Sequence, residues 1–176
     1  MIDAPPLFVL RHGQTTWNRD GVLQGARDAP LTALGRVQAA RQGAILRARG
    51  VSCPVYVSPQ GRARHSAALA GLDASVETAL REVAMGSWEG RRLSDVPAGP
   101  GVTWKFAAPG GEDRAAFEGR LRGVLASLRR PSVLVTHGVV SIGLRALLTE
   151  RDDWDAMADP QGVVHEIAGG VERELT

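Results

Sequence analysis

The sequence predicts an α/β fold with a mostly parallel central sheet. Two short apolar runs, Leu7–Leu10 and Ser132–Thr136, have the continuous hydrophobicity of strands that are buried on both faces. Segments with helical periodicity alternate with these runs and with weaker predicted strands, and such alternation is typical of parallel sheets. At 176 residues the chain has the size of one domain, so we predict a single domain over residues 1–176.

The first half of the chain continues this alternation. Between Thr32, which is suited to cap the start of a helix, and Gly50, which is suited to end one, the apolar residues follow helical periodicity. A second strand is predicted over residues 51–57. A short Ala-rich helix over residues 61–72 then leads to a weak strand at residues 75–77.

The second half begins with a long irregular segment, residues 86–111. It is rich in Gly, Pro and Trp and lacks clean periodicity, so we predict a functional loop region with one short helix. Helices are predicted over residues 112–130, where apolar residues recur at helical spacing, and over residues 139–148. The runs 163–167 and 171–175 flank a Gly-Gly pair and predict a hairpin at the edge of the sheet.

The composition is that of a globular protein and argues against a nucleic-acid partner. Hydrophobic residues make up 44% of the chain and charged residues 23%, which argues against extensive disorder. The 21 basic and 19 acidic residues leave a net charge of only +2, and Lys105 is the only lysine. The arginines are scattered among acidic residues and are not gathered into a stripe with aromatic residues between them.

Cysteine usage and the N-terminus indicate the cytoplasm. Cys53 is the only cysteine, so it cannot form an intramolecular disulfide or a CxxC pair, which fits a reducing compartment. The first residues lack the basic segment of a signal peptide, and no stretch approaches the roughly 20 apolar residues of a membrane span. We therefore expect a cytoplasmic protein without a membrane partner, and the sequence does not indicate its oligomeric state.

Polar side chains follow the carboxyl ends of the predicted strands. Arg11 and His12 come directly after the first apolar run, His137 follows the second, and Ser58 and Arg62 follow the strand predicted between them. Because the carboxyl ends of parallel strands meet at one edge of a sheet, we expect these side chains to lie together. Two histidines at equivalent places favour a functional site over two unrelated loop histidines.

The two arginines predict that this site binds a phosphoryl group. Guanidinium groups match phosphate oxygens in bidentate geometry and stay charged at every working pH. A metal site is the competing interpretation of two histidines, but Arg11 would repel a cation, and the strand ends carry no Asp, Glu or Cys as a further ligand. We therefore expect no metal and no other cofactor, and a small-molecule phosphate ester as the partner.

A phosphoryl group at this place suggests nucleophilic catalysis by histidine. A neutral ring nitrogen of His12 can attack phosphorus in line if a backbone carbonyl holds the N–H of the other nitrogen, and the tight turn at Gly13 suits this arrangement. We expect His137 to remain protonated near the bound dianion. Together with Arg11 and Arg62, it would then stabilise the charge on the transition-state oxygens.

The leaving ester oxygen also calls for a general acid, because an alkoxide is a poor leaving group. Glu82 and Glu89 are the candidates, and sequence chemistry alone does not choose between them. A solvated ion pair with Arg81, Arg91 or Arg92 is an equally weighted interpretation of either glutamate.

Five sequence blocks in a fixed order resemble the histidine phosphatase superfamily, in its branch similar to cofactor-dependent phosphoglycerate mutase and related small phosphatases. They are LRHGQTTWN over residues 10–18, GARDAPLTALG over residues 25–35, SPQGRA over residues 58–63, a block with Glu82, Gly86, Trp88, Glu89 and Gly90, and Thr136-His137-Gly138. The resemblance covers residues 7–148 in the family's order, so chance is a poor explanation, although an isolated RHG tripeptide would be weak evidence.

The resemblance implies a three-layer α/β/α sandwich and a phosphohistidine mechanism. His12 is then the nucleophile, and His137 helps to bind the phosphoryl group. Glu82 matches the family's acid, so the resemblance makes it the proton donor and later the base that activates water. It implies substrate-binding positions as well, namely Arg11, Asn18, Gln24 with the backbone near it, Arg62 and Gly138.

Departures from the family pattern bear on the substrate. Residues 109–113 resemble a PGGES stretch, but Asp113 replaces the serine, and His65 stands where Gln or Glu is more usual. The segment between the Glu82 block and residues 109–113 is shorter than in true mutases, and an open pocket favours hydrolysis over the return of the phosphoryl group. Four residues of this variable segment are candidates to line a specificity pocket, namely Arg91, Arg92, Trp104 and Lys105.

The favoured function is a metal-independent phosphomonoesterase that hydrolyses a small-molecule ester, and Glu82 argues for alkyl phosphates. Two alternatives stay open at this point. The first is mutase-type transfer between the hydroxyl groups of phosphoglycerate, and the second is a module that binds a phosphorylated ligand without turnover. The natural substrate is not identified by the sequence.

Overall fold

A six-stranded sheet forms the centre of the protein. The computed structural model describes Ile2 and residues 4–176. The strands are Leu7–Arg11 (β1), Val55–Val57 (β2), Ser75–Val76 (β3), Ser132–Thr136 (β4), Val164–Ala168 (β5) and Val171–Leu175 (β6). Their order across the sheet is β3-β2-β4-β1-β5-β6. The pairs from β3 to β1 are parallel, and β5 and β6 add an antiparallel edge.

Five α-helices connect the strands or follow the loops between them. They are Thr16–Arg19 (α1), Ala33–Ala48 (α2), Gly61–Leu69 (α3), Arg114–Ser127 (α4) and Gly138–Thr149 (α5). None of the helices among the described residues is long and apolar enough to span a bilayer. The prediction of one domain over residues 1–176 includes Met1 and Asp3, which lie outside the described residues, and it stays a prediction.

Both faces of the sheet are covered, which confirms the predicted three-layer α/β/α sandwich. Along β1, Leu7 and Val9 pack into one apolar cluster, and Phe8 and Leu10 pack into another. The first cluster includes side chains of α4 and α5, and the second includes side chains of α2 and α3. Because successive side chains of a strand point to opposite faces, this alternation explains why the apolar runs in β1 and β4 are continuous.

Capping residues set the helix boundaries. The Thr32 side chain accepts a hydrogen bond from the backbone N–H of Gly35 at the start of α2, as predicted, and Gly50 beyond its end has φ +64°. Helix α4 begins later than predicted because Asp113 is its N-cap, accepting from the N–H of Ala116 at 2.8 Å. The Asp at this position of the PGGES-like stretch is therefore a helix cap.

Other predicted elements also differ from the structure in length or number, and α4 ends at Ser127 where residue 130 was predicted. Strand β2 starts at Val55, not at residue 51, because Pro54 has no N–H with which to extend the ladder. Helix α3 ends at Leu69, because Gly71 takes a left-handed conformation with φ +74°. The segment 86–111 contains three short 3-10 helices where one short helix was predicted.

The register of the sheet places three strand ends side by side. Arg11 at the end of β1 is paired with Thr136 at the end of β4, and Val57 at the end of β2 is paired with Val135. The residues that follow these three strands therefore emerge at one edge of the sheet, as expected for parallel strands.

Backbone contact between α2 and the end of α3 predicts a stability difference between two Gly-to-Ala substitutions. A Cβ at Gly43 would overlap with the carbonyl oxygen of Ala70, whereas a Cβ at Gly119 in α4 would meet no atom within 4 Å. We expect Gly43→Ala to lower the free energy of unfolding by about 1–3 kcal/mol, because the helices must move apart. Gly119→Ala should raise it by about 0.5–1 kcal/mol, because Ala is the better helix former. Urea unfolding of both variants measures the difference, and shifts of the same sign would contradict this account.

Candidate active site

Two histidines lie next to each other where β1 and β4 end. The ring centroids of His12 and His137 are 5.1 Å apart, with an edge-to-face arrangement. His12 is 3% exposed and His137 is fully buried. Ser58 follows β2, and its Oγ lies 2.6 Å from Nε2 of His137. The predicted convergence of the three strand ends is therefore present in the structure.

Hydrogen bonds on both sides set the tautomer of His12. Its Nδ1 lies 2.8 Å from the carbonyl oxygen of Gly13, and its Nε2 lies 3.2 Å from Nε of Arg62. A carbonyl oxygen only accepts hydrogen bonds and a guanidinium only donates them, so Nδ1 carries the proton and Nε2 presents a lone pair. The bond to the Gly13 carbonyl is the contact that the sequence analysis expects for a nucleophilic histidine.

The turn that carries His12 is clamped between two helices. The N–H of Gly13 donates to Oγ of Ser66 in α3 at 3.0 Å, and this hydroxyl donates to the carbonyl oxygen of Arg62 at 2.8 Å. On the other side, a Cβ at Gly13 would overlap with the backbone of Gly35 in α2. Glycine at position 13 is therefore required by the close approach of two backbone segments.

The guanidinium of Arg62 is buried and makes four hydrogen bonds. Besides Nε2 of His12, the acceptors are the carbonyl oxygens of Gly25 at 3.0 Å and Arg27 at 2.7 Å, and Oδ1 of Asp28 at 3.1 Å. These contacts hold a positive charge against His12.

Seven of the eight site residues predicted from the sequence line one cavity at this edge of the sheet, namely Arg11, His12, Asn18, Gln24, Arg62, Glu82 and Gly138. The eighth, His137, packs against His12. Among the four candidates for a specificity pocket, Lys105 lines this cavity, and Arg91, Arg92 and Trp104 do not. Trp104 packs instead against Trp88, with ring centroids 5.8 Å apart.

Three buried polar atoms at this place have no hydrogen-bond partner among the described residues. They are Nε of Arg11, Nδ1 of His137 and Oε1 of Gln24. Buried polar groups usually have a partner, so unpaired ones at a cavity indicate where a ligand can bind. The free Nε–H of Arg11 is a donor suited to an anion.

The two candidate carboxylates occupy different places. Glu82 lines the cavity, and its Oε1 and Oε2 accept from the backbone N–H groups of Val83 at 3.0 Å and Val139 at 3.3 Å. Glu89 does not line it, and its Oε1 accepts from the N–H groups of Ala26 at 2.8 Å and Met85 at 2.9 Å. Glu89 therefore joins two backbone segments, and Glu82 is the carboxylate that a ligand in the cavity would meet.

The orientation of Asn18 depends on a residue that the sequence analysis does not identify. Oδ1 of Asn18 accepts from the N–H of Thr15 at 3.0 Å and from Nε2 of Gln161 at 3.3 Å. With Oδ1 occupied, the amide group of Asn18 is the part left to donate to a ligand. Nε2 of Gln161 also donates to the carbonyl oxygen of His12 at 3.0 Å. No motif or periodicity in the sequence connects Gln161 with the histidine turn.

The electrostatics of the site disfavour additional positive charge. Burial lowers the pKa of His12 well below its ordinary value, and the charges of Arg62 and Arg11 lower it further. Burial, Arg62 and His12 do the same for the pKa of His137. Burial also lowers the pKa of Lys105, although the charge of Glu82 opposes this shift. Both histidines are therefore neutral at neutral pH in the free protein, and the expected protonation of His137 requires a bound anion.

The described part of the chain holds no group of three or more His, Cys, Asp or Glu side chains arranged to bind a metal ion. The cavity is lined by guanidinium N–H groups, by the neutral imidazole of His12 with its unprotonated Nε2, and by one carboxyl group. This combination suits an anion that can accept hydrogen bonds and undergo nucleophilic attack.

Comparison with known proteins identifies relatives of the whole arrangement. The family model described as histidine phosphatase superfamily (branch 1) matches residues 7–164. A glucosyl-3-phosphoglycerate phosphatase of Mycobacterium tuberculosis is 32% identical over 182 residues, covering 88% of this chain and 80% of that protein. A probable phosphoglycerate mutase GpmB of Salmonella paratyphi B is 31% identical over 150 residues, covering 76% of this chain and 69% of that protein. A crystal structure of phosphoglycerate mutase from Thermus thermophilus has a TM-score of 0.75 and 32% identity, with 93% of each chain covered.

The family match and the relatives confirm the resemblance and the fold. The names of these relatives are those of a phosphatase and of mutases, so the supported chemistry is phosphoryl transfer or hydrolysis by an enzyme. The chain belongs to the histidine phosphatase superfamily, branch 1.

Proposed function

We propose that the protein is a metal-independent phosphomonoesterase that hydrolyses a small-molecule phosphate ester through a phosphohistidine on His12. The observation that carries this proposal is the fixed tautomer of His12, whose Nδ1 proton is held by the Gly13 carbonyl. Its Nε2 lone pair accepts a hydrogen bond from Nε of Arg62. A phosphoryl group would replace Arg62 at this lone pair.

The reaction follows in two steps. The Nε2 lone pair of His12 attacks phosphorus, the bond from phosphorus to the ester oxygen breaks, and the protonated carboxyl of Glu82 gives its proton to the leaving oxygen. The oxygen of a water molecule then attacks phosphorus, the bond from phosphorus to Nε2 of His12 breaks, and the Glu82 carboxylate takes a proton from that water. Phosphate leaves, and His12 and Glu82 return to their starting states.

Cationic and amide groups around the cavity stabilise the charge on the phosphoryl oxygens. The Nε–H of Arg11 and the amide of Asn18 donate to these oxygens, and Arg62 keeps its charge beside them. A bound dianion raises the pKa of His137 and makes it a further donor through Nδ1. The unpaired Oε1 of Gln24 is an acceptor, so the contribution near Gln24 comes from the backbone or from the opposite end of its amide.

The substrate carries a second anionic group. Lys105 lines the cavity, and no carboxylate of the described residues lies within ion-pair distance of its ammonium group. The ammonium group lies 5.8 Å from the centroid of the Trp104 ring, and a carboxylate on the alcohol part of the ester would give it an anionic partner. Such an ester belongs to the same chemical class as the phosphoglycerates named for two of the relatives.

A mutase is the second candidate, because one of the relatives is named a probable phosphoglycerate mutase. A mutase would return the phosphoryl group from His12 to another hydroxyl and would need a bisphosphate to prime the histidine. Interconversion of 3- and 2-phosphoglycerate, measured with and without such a primer, separates this reaction from hydrolysis. Interconversion faster than phosphate release would favour the mutase.

Phosphate release in excess EDTA tests the central proposal. We expect release from a panel of phosphomonoesters to persist in EDTA and to fall at least about 1,000-fold in His12→Ala, because the nucleophile is lost. His65→Ala is the matched control, since His65 is an exposed histidine on α3. Release that requires a metal, or that survives in His12→Ala, would contradict the phosphohistidine mechanism.

Leaving-group dependence tests the role of Glu82. Glu82→Gln keeps the shape of the side chain but removes the proton donor. We expect it to lower kcat for alkyl phosphates by roughly 100-fold or more, and to have a much smaller effect on aryl phosphates, whose leaving groups need little protonation. Glu89→Gln is the control and should affect both substrate classes alike. Equal losses for both classes in Glu82→Gln would mean that Glu82 is not the acid.

Proton uptake on anion binding tests the electrostatics of the two histidines. The pKa of both is lowered in the free site, and a bound dianion raises it, so the complex holds more protons than the free protein. Sulfate is the probe, because it stays a dianion at about pH 6, which lies below the ordinary pKa of histidine. Any proton taken up when sulfate binds therefore goes to the protein. Calorimetry in two buffers of different ionisation enthalpy should give net uptake, tighter binding as the pH falls, and less uptake in His137→Gln. Proton release on binding would contradict this account.

A further inference from the structure

A cluster of charged and polar side chains outside the cavity contacts the guanidinium of Arg11 through Asp159. This cluster takes no part in the reaction described above. We call it the Asp159 cluster, and its members are Ser141, Arg145, Asp159, His165 and Glu172. They come from α5, from the loop that precedes β5, and from β5 and β6. None of them lines the cavity that contains His12.

Asp159 contacts the guanidinium of Arg11 with both its backbone and its side chain. Nη1 of Arg11 donates to the Asp159 carbonyl oxygen at 2.8 Å, and Oδ2 of Asp159 lies 3.7 Å from the same nitrogen. Both contacts involve Nη1. The Nε–H of Arg11 has no hydrogen-bond partner among the described residues. The Arg11 side chain is 27% exposed.

Asp159 is itself held in place by three other members of the cluster. Its Oδ1 accepts from Oγ of Ser141 at 2.6 Å and from Nη1 of Arg145 at 3.3 Å, and it lies 3.6 Å from Nε2 of His165. Nη1 of Arg145 also donates to the carbonyl oxygen of Ala158 at 2.9 Å, which holds the backbone next to Asp159. The Asp159 side chain is only 3% exposed, so the surrounding atoms restrict its movement.

Glu172 on β6 connects the far side of the cluster. Its Oε1 lies 2.7 Å from both Nε and Nη2 of Arg145 and 2.9 Å from Nδ1 of His165. The carboxyl groups of Asp159 and Glu172 therefore alternate with the guanidinium groups of Arg11 and Arg145. Burial raises the pKa of Asp159, and the charge of Arg11 opposes this shift. Oδ2 of Asp159 and both ring nitrogens of His165 have no hydrogen-bond partner among the described residues. Burying charged groups that are incompletely paired costs stability, so stability alone is a poor explanation for the cluster.

We propose that Asp159 is a positioning residue for the reaction, which holds Arg11 so that its Nε–H points to the phosphoryl group. The proposal rests on the proposed function, in which Arg11 binds that group. An arginine side chain has many rotamers, and ordering it before the substrate arrives removes an entropic cost from binding. The Asp159 cluster supplies this order from outside the cavity.

A purely structural role for the cluster predicts a different result from a positioning role. If Asp159 only stabilises the fold, its substitution should have the same effect on phosphate binding whether or not Arg11 is present. If Asp159 acts through Arg11, the effect should disappear when Arg11 is removed. A double-mutant cycle separates these two cases.

The cycle combines Asp159→Asn with Arg11→Met, and inorganic phosphate is the probe. The measurements are Kd for phosphate by calorimetry, kcat and KM for an aryl phosphate, and the unfolding temperature. We expect Asp159→Asn to weaken phosphate binding roughly tenfold when Arg11 is present and by less than about twofold in Arg11→Met. The fall in unfolding temperature should be similar in both backgrounds. An equal loss of phosphate affinity in the two backgrounds would overturn the proposal.

Ser141→Ala provides a second route if Asp159→Asn does not fold. It removes the 2.6 Å hydrogen bond to Oδ1 of Asp159 and leaves every charge in place. The same dependence on Arg11 is expected, with a smaller loss of affinity. A wild-type protein that neither binds phosphate nor releases it from any ester would overturn the proposed function and this inference with it. A wild-type protein that binds phosphate, with equal losses in both backgrounds, would overturn this inference alone.

Discussion

The buried guanidinium of Arg62 is the constraint on which the arrangement of the site depends. A cation that is 2% exposed must have its charge and its N–H groups satisfied by the protein. The carbonyl oxygens of Gly25 and Arg27 and the carboxylate of Asp28 do this on one side. The remaining side faces Nε2 of His12 and keeps that nitrogen unprotonated. The bonds that make the burial of Arg62 tolerable therefore also keep Nε2 of His12 in its unprotonated form.

The loop that surrounds the Arg62 guanidinium is connected to the carboxylate of the site. Gln60 donates from Nε2 to the carbonyl oxygen of Gly25 at 2.7 Å, and its Oε1 accepts from the N–H of Glu82 at 2.8 Å. Glu89 holds the same loop through the N–H of Ala26 at 2.8 Å. Gly25 has φ +54°, and a side chain there would overlap with Glu89. The Glu82 carboxyl and the loop around the Arg62 guanidinium therefore share one support, so a shift of either moves the other.

The sequence predicted the sheet and the residues at its strand ends because local patterns encode both. Continuous apolar runs mark strands covered on both faces, and the parallel order brings the residues that follow those strands, His12 and His137 among them, to one edge. Contacts of Asp159 and Gln161 with the histidine turn could not be predicted, because they join side chains about 150 residues apart and follow no periodicity. Sequence chemistry alone did not choose between Glu82 and Glu89, and the family resemblance favoured Glu82. The structure supplies a physical difference, because Glu82 lines the cavity and Glu89 joins two backbone segments.

The parallel part and the antiparallel part of the sheet differ in whether their polar side chains can reach a ligand. In the parallel part, strand ends and helix starts meet, so polar groups that must contact a ligand can reach an open edge. The antiparallel edge, β5 and β6, has no such opening, and its inward side chains His165 and Glu172 are held among charged groups behind Arg11. A surface arginine in water would be free to change rotamer, whereas one whose Nη1 is bound to the carbonyl oxygen of Asp159 has lost that freedom before a ligand arrives. The family resemblance, which rests on the strand-end residues, contains no information about this edge. Its particular charges therefore had to be found in the structure.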